Sequence, residues 1–361
     1  MSSKKEDQHF VPKFYLRNFS YQGNKKQLGI FNIINEKYIQ RGKLKTQGYK
    51  KHFYGKDGVV EEMLSEIEGY IAPVISSIIS SKKPPTKQTS DHYTLLFFLL
   101  FSIQRNISHE RVTNELTDKM YKTVFSKGKF KDEINNYSIG ITNASSMGLS
   151  FLPEMMMITM DLSYKLLINL TSTPFITSDN PVIKYNSRLE ELGARDNITG
   201  YGAAGLQMFL PLSNDILILF YDDNFYDVGV TGNQIFKIRN DQVVDDINLL
   251  HFVNCEQTIF FNHQVNEEYI RLLFKESKKY QKANVSIVTE HPVMGRGGKL
   301  EESSSIIHSR TTSCRTGLSI PFIKATKHAK KFEIGNKAVH IRPAVERMLN
   351  NPLLYANRPK E

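Results

Sequence analysis

Cysteine is nearly absent from this 361-residue sequence: only Cys255 and Cys314 occur. They stand far apart, and neither belongs to a CxxC or Cys-His cluster, so neither a zinc framework nor a disulfide scaffold is visible. This points to a reducing compartment, the cytoplasm. Long apolar runs are missing too. The longest, Leu95 to Ile103, contains Ser102 and is far too short to span a bilayer. The opening MSSKKEDQ has lysines with no apolar stretch behind them, and so does not read as a secretory signal. There is no internal repeat and no GxSxG elbow to make a nucleophile of Ser178 or Ser213. The loop Gly295-Arg296-Gly297-Gly298-Lys299 offers phosphate contacts but lacks the strand-to-helix setting of a phosphate-binding loop.

What is present is the composition of a soluble globular protein, 40% hydrophobic and 23% charged. Lys and Arg exceed Asp and Glu by 47 to 37, a net charge of +10. Such an excess favours an anionic partner, nucleic acid before an acidic membrane surface.

Residues 28–40 alternate as a hairpin about Asn35-Glu36-Lys37. KHFYGKDG reads as a short aromatic strand ending in a turn at Asp57-Gly58. Apolar residues at helical spacing predict a helix from Val59 to Ser80, kinked or broken at Pro73. A second helix, capped by Ser90 or Asp91, carries the all-apolar run and is expected to be buried on every side. Beyond Met160, DLSYKLLINL, PFITSDNPVIKY, LQMFLPL, DILILFYD and QTIFFN read as strands, with helices near 240–252 and 265–282. The class is α+β: a mostly helical N-terminal half with a hairpin, packed on a mainly antiparallel sheet. The expected organisation is a flexible 1–7 and one domain over 8–290, helical over 58–157 and sheet-rich over 160–262. A loop-rich basic segment, 291–361, follows.

Several polar groups sit at the edges of these apolar elements. QHFVPKFYLRNFS, Gln8 to Ser20, is either a strand edge or an anchored segment carrying Gln8 and His9 into a site. On the first long helix Glu61 and Glu68 share a face beside the apolar stripe. They are flanking surface glutamates, or a pair that binds a cation, holds an arginine, or acts as acid and base. Gln104-Arg105 directly follows the buried helix. A guanidinium there needs a partner, and Glu61, Glu68 and Asp179 are candidates. Thr177-Ser178-Asp179-Asn180-Pro181 is an Asx-type turn, and also the kind of strand end where sites are built. The run Met155-Met156-Met157, with Met160, reads as core packing. His52 either joins His9 or is structural.

In order and spread, QHFVPKFYLRNF, FYGKDGVVEEMLSEIE, the helix ending in QR, FITSDNPV and LPLSNDILIL resemble a mainly bacterial family known as domain of unknown function 4238. The resemblance runs from residue 8 to about 262. It implies an association with anti-phage defence, and it places the family's recurrent polar positions on Gln8, His9, Glu61, Glu68, Arg105, Ser178, Asp179 and Asn180. One departure stands out: Arg105 is followed by Asn-Ile-Ser-His instead of the Thr-Pro common in relatives. The resulting expectation is a cytoplasmic effector with hydrolytic activity, a nuclease acting on RNA before DNA. His9 would be its acid or base, and Arg105 would stabilise phosphoryl charge. Glu61, Glu68 and Asp179 would orient these groups or bind a metal, and Asn180 completes the catalytic set. One His with three carboxylates suits Mg²⁺ or Mn²⁺, whereas an arginine among them would instead occupy those charges. The alternative is a binding module that recognises a phage component or nucleic acid without chemistry.

Overall fold

The computed structural model describes residues 6–126, 131–194, 197–294, 300–335 and 339–351. The Gly295–Lys299 loop therefore lies outside the described residues, as do the first five residues of the expected flexible start.

The N-terminal segment forms β1 (Asp7–His9) and the single turn α1 (Lys13–Leu16), with Tyr15 and Leu16 buried. The expected hairpin is β2 (Gln27–Asn32) with β3 (Lys37–Lys43), turning through Glu36 in the left-handed region. β4 (Tyr49–Lys51) pairs antiparallel with β1 and sets Gln8 against Lys50. This strand ends before the aromatic residues Phe53 and Tyr54, which lie buried in the turn that follows.

The helical part begins with α2 (Val59–Ser81), which runs unbroken through Pro73. The missing proline N–H leaves the Gly69 carbonyl without its helical donor, and Gly69 is solvent-exposed, where that loss costs least. Next is α3 (Ser90–Gln104). Its cap is Thr89, not Ser90 or Asp91, and the Thr89 side chain accepts from the His92 N–H. α3 is buried along nearly its whole length, as its apolar circumference requires. After only two residues, Arg105 and Asn106, α4 (Ile107–Phe125) begins with Asn106 as its cap. The short helices α5 (Lys131–Ile134), α6 (Ala144–Ser150) and α7 (Leu152–Thr159) follow.

The sheet-rich part contributes β5 (Ser163–Asn169), β6 (Thr177–Ser178), β7 (Ile183–Tyr185), the turn α8 (Ser187–Glu191), β8 (Gln207–Pro211) and β9 (Ile216–Tyr221). Then come β10 (Tyr226–Val228), β11 (Ile235–Ile238), α9 (Asp241–Asn254), β12 (Thr258–Phe261) and α10 (Glu267–Ser277). Five of these strands form a sheet in the order β11-β5-β9-β8-β7, antiparallel except for β11 on β5. Ile216, Ile218 and Phe220 face the core shared with α3, whereas Leu217 and Leu219 face the core shared with α9. Helices on both faces explain why this strand reads as continuously apolar. A second sheet, β3-β2-β12-β6, extends the hairpin. The class is α+β with mostly antiparallel pairing, as the pattern implied.

Residues beyond 285 hold more regular structure than a loop-rich segment would. β13 (Ser286–Met294) and β14 (Leu300–Thr311) make a long hairpin, and β15 (Ile323–Ala325) pairs with β10. α11 (Lys327–Lys331) and α12 (Pro343–Leu349) complete the described chain. Just before α12, residues 340–342 zip against 202–204. The Ala204 N–H donates to His340 and the Arg342 N–H to Gly202. The Arg342 side chain is fully buried, gripping Asp161 with two nitrogens and donating to the Ile158 and Ala203 carbonyls.

Candidate functional site

The α3–α4 joint organises the polar residues. Arg105, only 1% exposed, points to one side of it. Its Nε donates to the Tyr54 hydroxyl at 3.1 Å, one terminal nitrogen to Glu68 at 2.7 Å, and the other to the His9 carbonyl oxygen. The Phe101 ring lies under the guanidinium, 4.6 Å away. Burial pulls the Arg105 pKa down, but Tyr54 and Glu68 outweigh this and leave it above its ordinary value. Gln8 accepts from the Tyr54 N–H and donates to the Gly55 carbonyl. Burial raises the Tyr54 hydroxyl to about 12, with the charges of Glu61 and Glu68 adding to the effect. Gln8, His9, Glu68 and Arg105 meet here from separate segments, and Glu61 lies near enough for its charge to act on Tyr54. The arrangement is a bolt, because every Arg105 nitrogen is spent on the protein.

His9 enters this cluster through its backbone. Its imidazole is buried, its Nε2 has no hydrogen-bond partner, and burial, followed by the charge of Lys13, lowers its pKa to about 4. A group held there is neutral at pH 7 and has no proton to give as a general acid.

Asp179 and Asn180 belong to an adjoining network, not to the Arg105 cluster. The Asp179 carboxylate accepts the backbone N–H groups of Glu256, Gln257 and Thr258 at 2.9, 2.6 and 2.9 Å, fixing the turn into β12. Burial raises its pKa above the ordinary range despite these bonds. The Asn180 Oδ1 accepts from Asn106 at 2.6 Å, and the Asn180 amide donates to Asn254. Ser178 is fully buried and donates to the Asn180 carbonyl. Ser213 donates to Asp215, and His52 sits in a turn with positive φ. Among the described residues, no group of three or more His, Cys, Asp or Glu side chains is placed to hold a metal ion. The expected Mg²⁺ or Mn²⁺ site therefore finds no ligand set here.

Behind Asn106 opens a cavity of about 240 Å³, walled by α3, α4, α6, α7, β7 and the Tyr201 loop. Gln104, His109, Lys184 and Tyr201 line it, together with Asn106 and Asn180. No carboxylate lies among its described lining residues. The Lys184 amine rests over the Tyr201 ring at 4.9 Å and has no hydrogen-bond acceptor or ion-pair partner among the described residues. Burial lowers its pKa to about 8. His109 is held at about 4, by burial first and then by Lys184, and its buried Nε2 is unpartnered. The Gln104 amide donates to the Tyr201 hydroxyl at 2.8 Å and to the Met155 sulfur at 3.0 Å, leaving its buried Oε1 without a donor. Of the methionine run, Met155 is thus packing and cavity wall at once.

Apart from Asn180, none of these cavity residues was singled out from the sequence as a site residue. The signals were present, however. The departure Asn106-Ile107-Ser108-His109 supplies three lining residues, and Lys184 is a lone charge inside an apolar strand.

The chain matches the family described as a protein of unknown function, DUF4238, over residues 7–264. It belongs to that family. No curated protein and no solved structure matches it. Both halves of the α3–α4 joint fall within the family region. Asn284 and Thr311, which also line the cavity, and Arg342 lie beyond it.

Proposed function

We propose that the protein cleaves phosphodiester bonds of RNA in the Lys184 cavity, by a route that needs no bound metal ion. The observation that carries this reading is an uncompensated cation. The half-buried Lys184 amine faces a cavity whose described walls hold no carboxylate and has no acceptor among the described residues, so an anionic ligand supplies the counter-charge the protein does not. The neutral His109, its Nε2 unpartnered, is the general base, and the Lys184 ammonium stabilises phosphoryl charge. The net charge of +10 favours encounter with a polyanion. Arg105 and Asn106 act as positioning residues at the joint that carries Gln104 and His109.

Capture of RNA without cleavage is the second reading. It is favoured by the low His109 pKa, which makes the imidazole a weak base. We assign the chain to the cytoplasm because both cysteines are buried and unbridged. Among the described residues, no helix is long and apolar enough to cross a membrane. A role in anti-phage defence rests on the family resemblance.

The test uses purified protein with labelled single-stranded RNA and DNA, in EDTA and with Mg²⁺. Cleavage of RNA in EDTA that is lost in Lys184→Met and His109→Phe supports the reading. Binding without cleavage selects the second reading. RNA binding unchanged by Lys184→Met overturns both.

A further inference from the structure

We propose that the cavity recognises the 2′-hydroxyl of an unpaired ribonucleotide, and that this hydroxyl is the nucleophile of the cleavage. The inference rests on the Lys184 cavity being the phosphate site, and it names the group presented beside that phosphate.

Two acceptors without donors share one corner of the cavity. They are the Gln104 Oε1 and the His109 Nε2, both buried. Gly148 forms the floor of that corner. A Cβ on Gly148 would overlap the His109 Nε2 and lie 2.9 Å from the Gln104 Oε1, so both atoms converge on Gly148. The Gln104 amide is oriented by its two donated bonds, to Tyr201 and Met155. Other amide donors around the cavity are already engaged. Asn106 donates to Asn180 and Ser102, Asn254 to the Asn180 and Val182 carbonyls, and Asn284 to Asn254. A buried acceptor left without a donor loses its hydration with no return. The ligand that fits therefore brings a hydrogen-bond donor to this corner and an anion to Lys184.

In RNA the 2′-hydroxyl is a donor on the carbon next to the one bearing the 3′-phosphate, whereas DNA lacks it. Size agrees with this assignment. A cavity of about 240 Å³ has room for the sugar and phosphate of one unpaired nucleotide and not for a duplex. Phe151 and Met147, 48% and 37% exposed, line the same cavity and offer an apolar face to an unstacked base.

In the reaction, the His109 Nε2 takes the 2′-hydroxyl proton as the 2′ oxygen bonds to phosphorus. The bond from phosphorus to the 5′ oxygen of the next nucleotide breaks, and that oxygen takes a proton from water. The hydroxide left behind deprotonates His109. The products are a 2′,3′-cyclic phosphate and a 5′-hydroxyl, with no electrons gained or lost.

The test compares a single-stranded RNA oligonucleotide, the same strand with one 2′-deoxy nucleotide, and the DNA of equal sequence, all in EDTA. Expected are 2′,3′-cyclic phosphate ends, and a loss of roughly 100-fold or more in cleavage at the deoxy position. In a Gly148→Ala protein whose melting is unchanged, RNA affinity should fall roughly tenfold and DNA affinity should not move. Equal cleavage or binding of RNA and DNA, both weakened by Lys184→Met, overturns the 2′-hydroxyl assignment and leaves the phosphate site standing. RNA handling indifferent to Lys184→Met overturns the cavity reading and this inference with it. The deoxy substrate decides the matter even if Gly148→Ala fails to fold.

Discussion

Arg105 and His9 meet through the backbone: the guanidinium donates to the His9 carbonyl oxygen, while the His9 imidazole makes no bond through its Nε2. Removing the ring leaves this contact in place. His9→Ala is therefore expected to keep RNA cleavage within about threefold of wild type, below the smallest loss typical of a missing acid or base. Phe14→Ala, measured beside it, should cost about 2–4 kcal/mol in stability through lost packing against α3. A His9→Ala protein that melts normally but no longer cleaves RNA would return the imidazole to the reaction.

Glu68→Gln should destabilise the fold by about 3 kcal/mol, because it leaves a fully buried guanidinium without its counter-charge. Glu68 is itself 24% exposed, which places the loss at the lower end for a broken buried pair. Urea midpoints measure it. Cleavage per folded molecule is expected to hold, and a selective loss of rate would show Glu68 acting on substrate.

Lys184→Met should separate stability from activity. The folded-state pKa of Lys184, about 8, is depressed from 10.5, so folding is penalised wherever the amine is charged. That penalty is complete below pH 8 and disappears as the pH rises to 10.5. At pH 7 the variant should gain on the order of 1–3 kcal/mol while losing RNA cleavage. Thermal melts at pH 7 and pH 10 test the sign: the variant's advantage must shrink at the higher pH.

Acid should expose His251, a residue on α9 that is buried with both ring nitrogens unpartnered. Burial lowers its pKa from 6.5 to about 3. The unfolded chain therefore binds a proton that the fold refuses, and stability is lost as pH falls from about 6.5 towards 3. Relative to wild type, His251→Leu should flatten the pH dependence of the urea midpoint between pH 7 and pH 5 by about 1–2 kcal/mol. Parallel curves would contradict the assignment.

Asp179→Asn removes one acceptor oxygen and turns an amide towards backbone N–H groups that now lack a partner. A loss of about 2–3 kcal/mol is expected, read from urea unfolding. The rate per folded molecule should be unchanged if Asp179 only shapes the turn into β12.

Much of the fold was legible because burial imposes a period. The stripe of α2, the all-apolar α3 and the continuous runs of β5, β8 and β9 each encode how many faces are covered. The β13–β14 hairpin escaped because strands such as SSSIIHSR lack a sustained apolar alternation. β10 and β11 are only three and four residues long, too short to show a period. For the site, edge positions found Gln8, Arg105 and Asp179, but a sequence does not show whether a polar group is spent on its own backbone. In all three it is. The cavity depends on groups left over after such pairing, and Gln104 meets Tyr201 across 97 residues of chain. Only the folded molecule reveals which donors and acceptors remain.

The zip of 340–342 onto 202–204 also has a consequence in time. During synthesis α3, α4 and Lys184 leave the ribosome early and can begin to pack, since domains assemble from the N-terminal side. The Tyr201 loop then waits for Arg342, which pins both it and the end of α7 through Ala203, Ile158 and Asp161. A nascent chain thus carries the charged amine and the imidazole well before the pocket between them has both walls. Until Arg342 has been made, the contacts that hold this wall of the cavity to the end of α7 are missing.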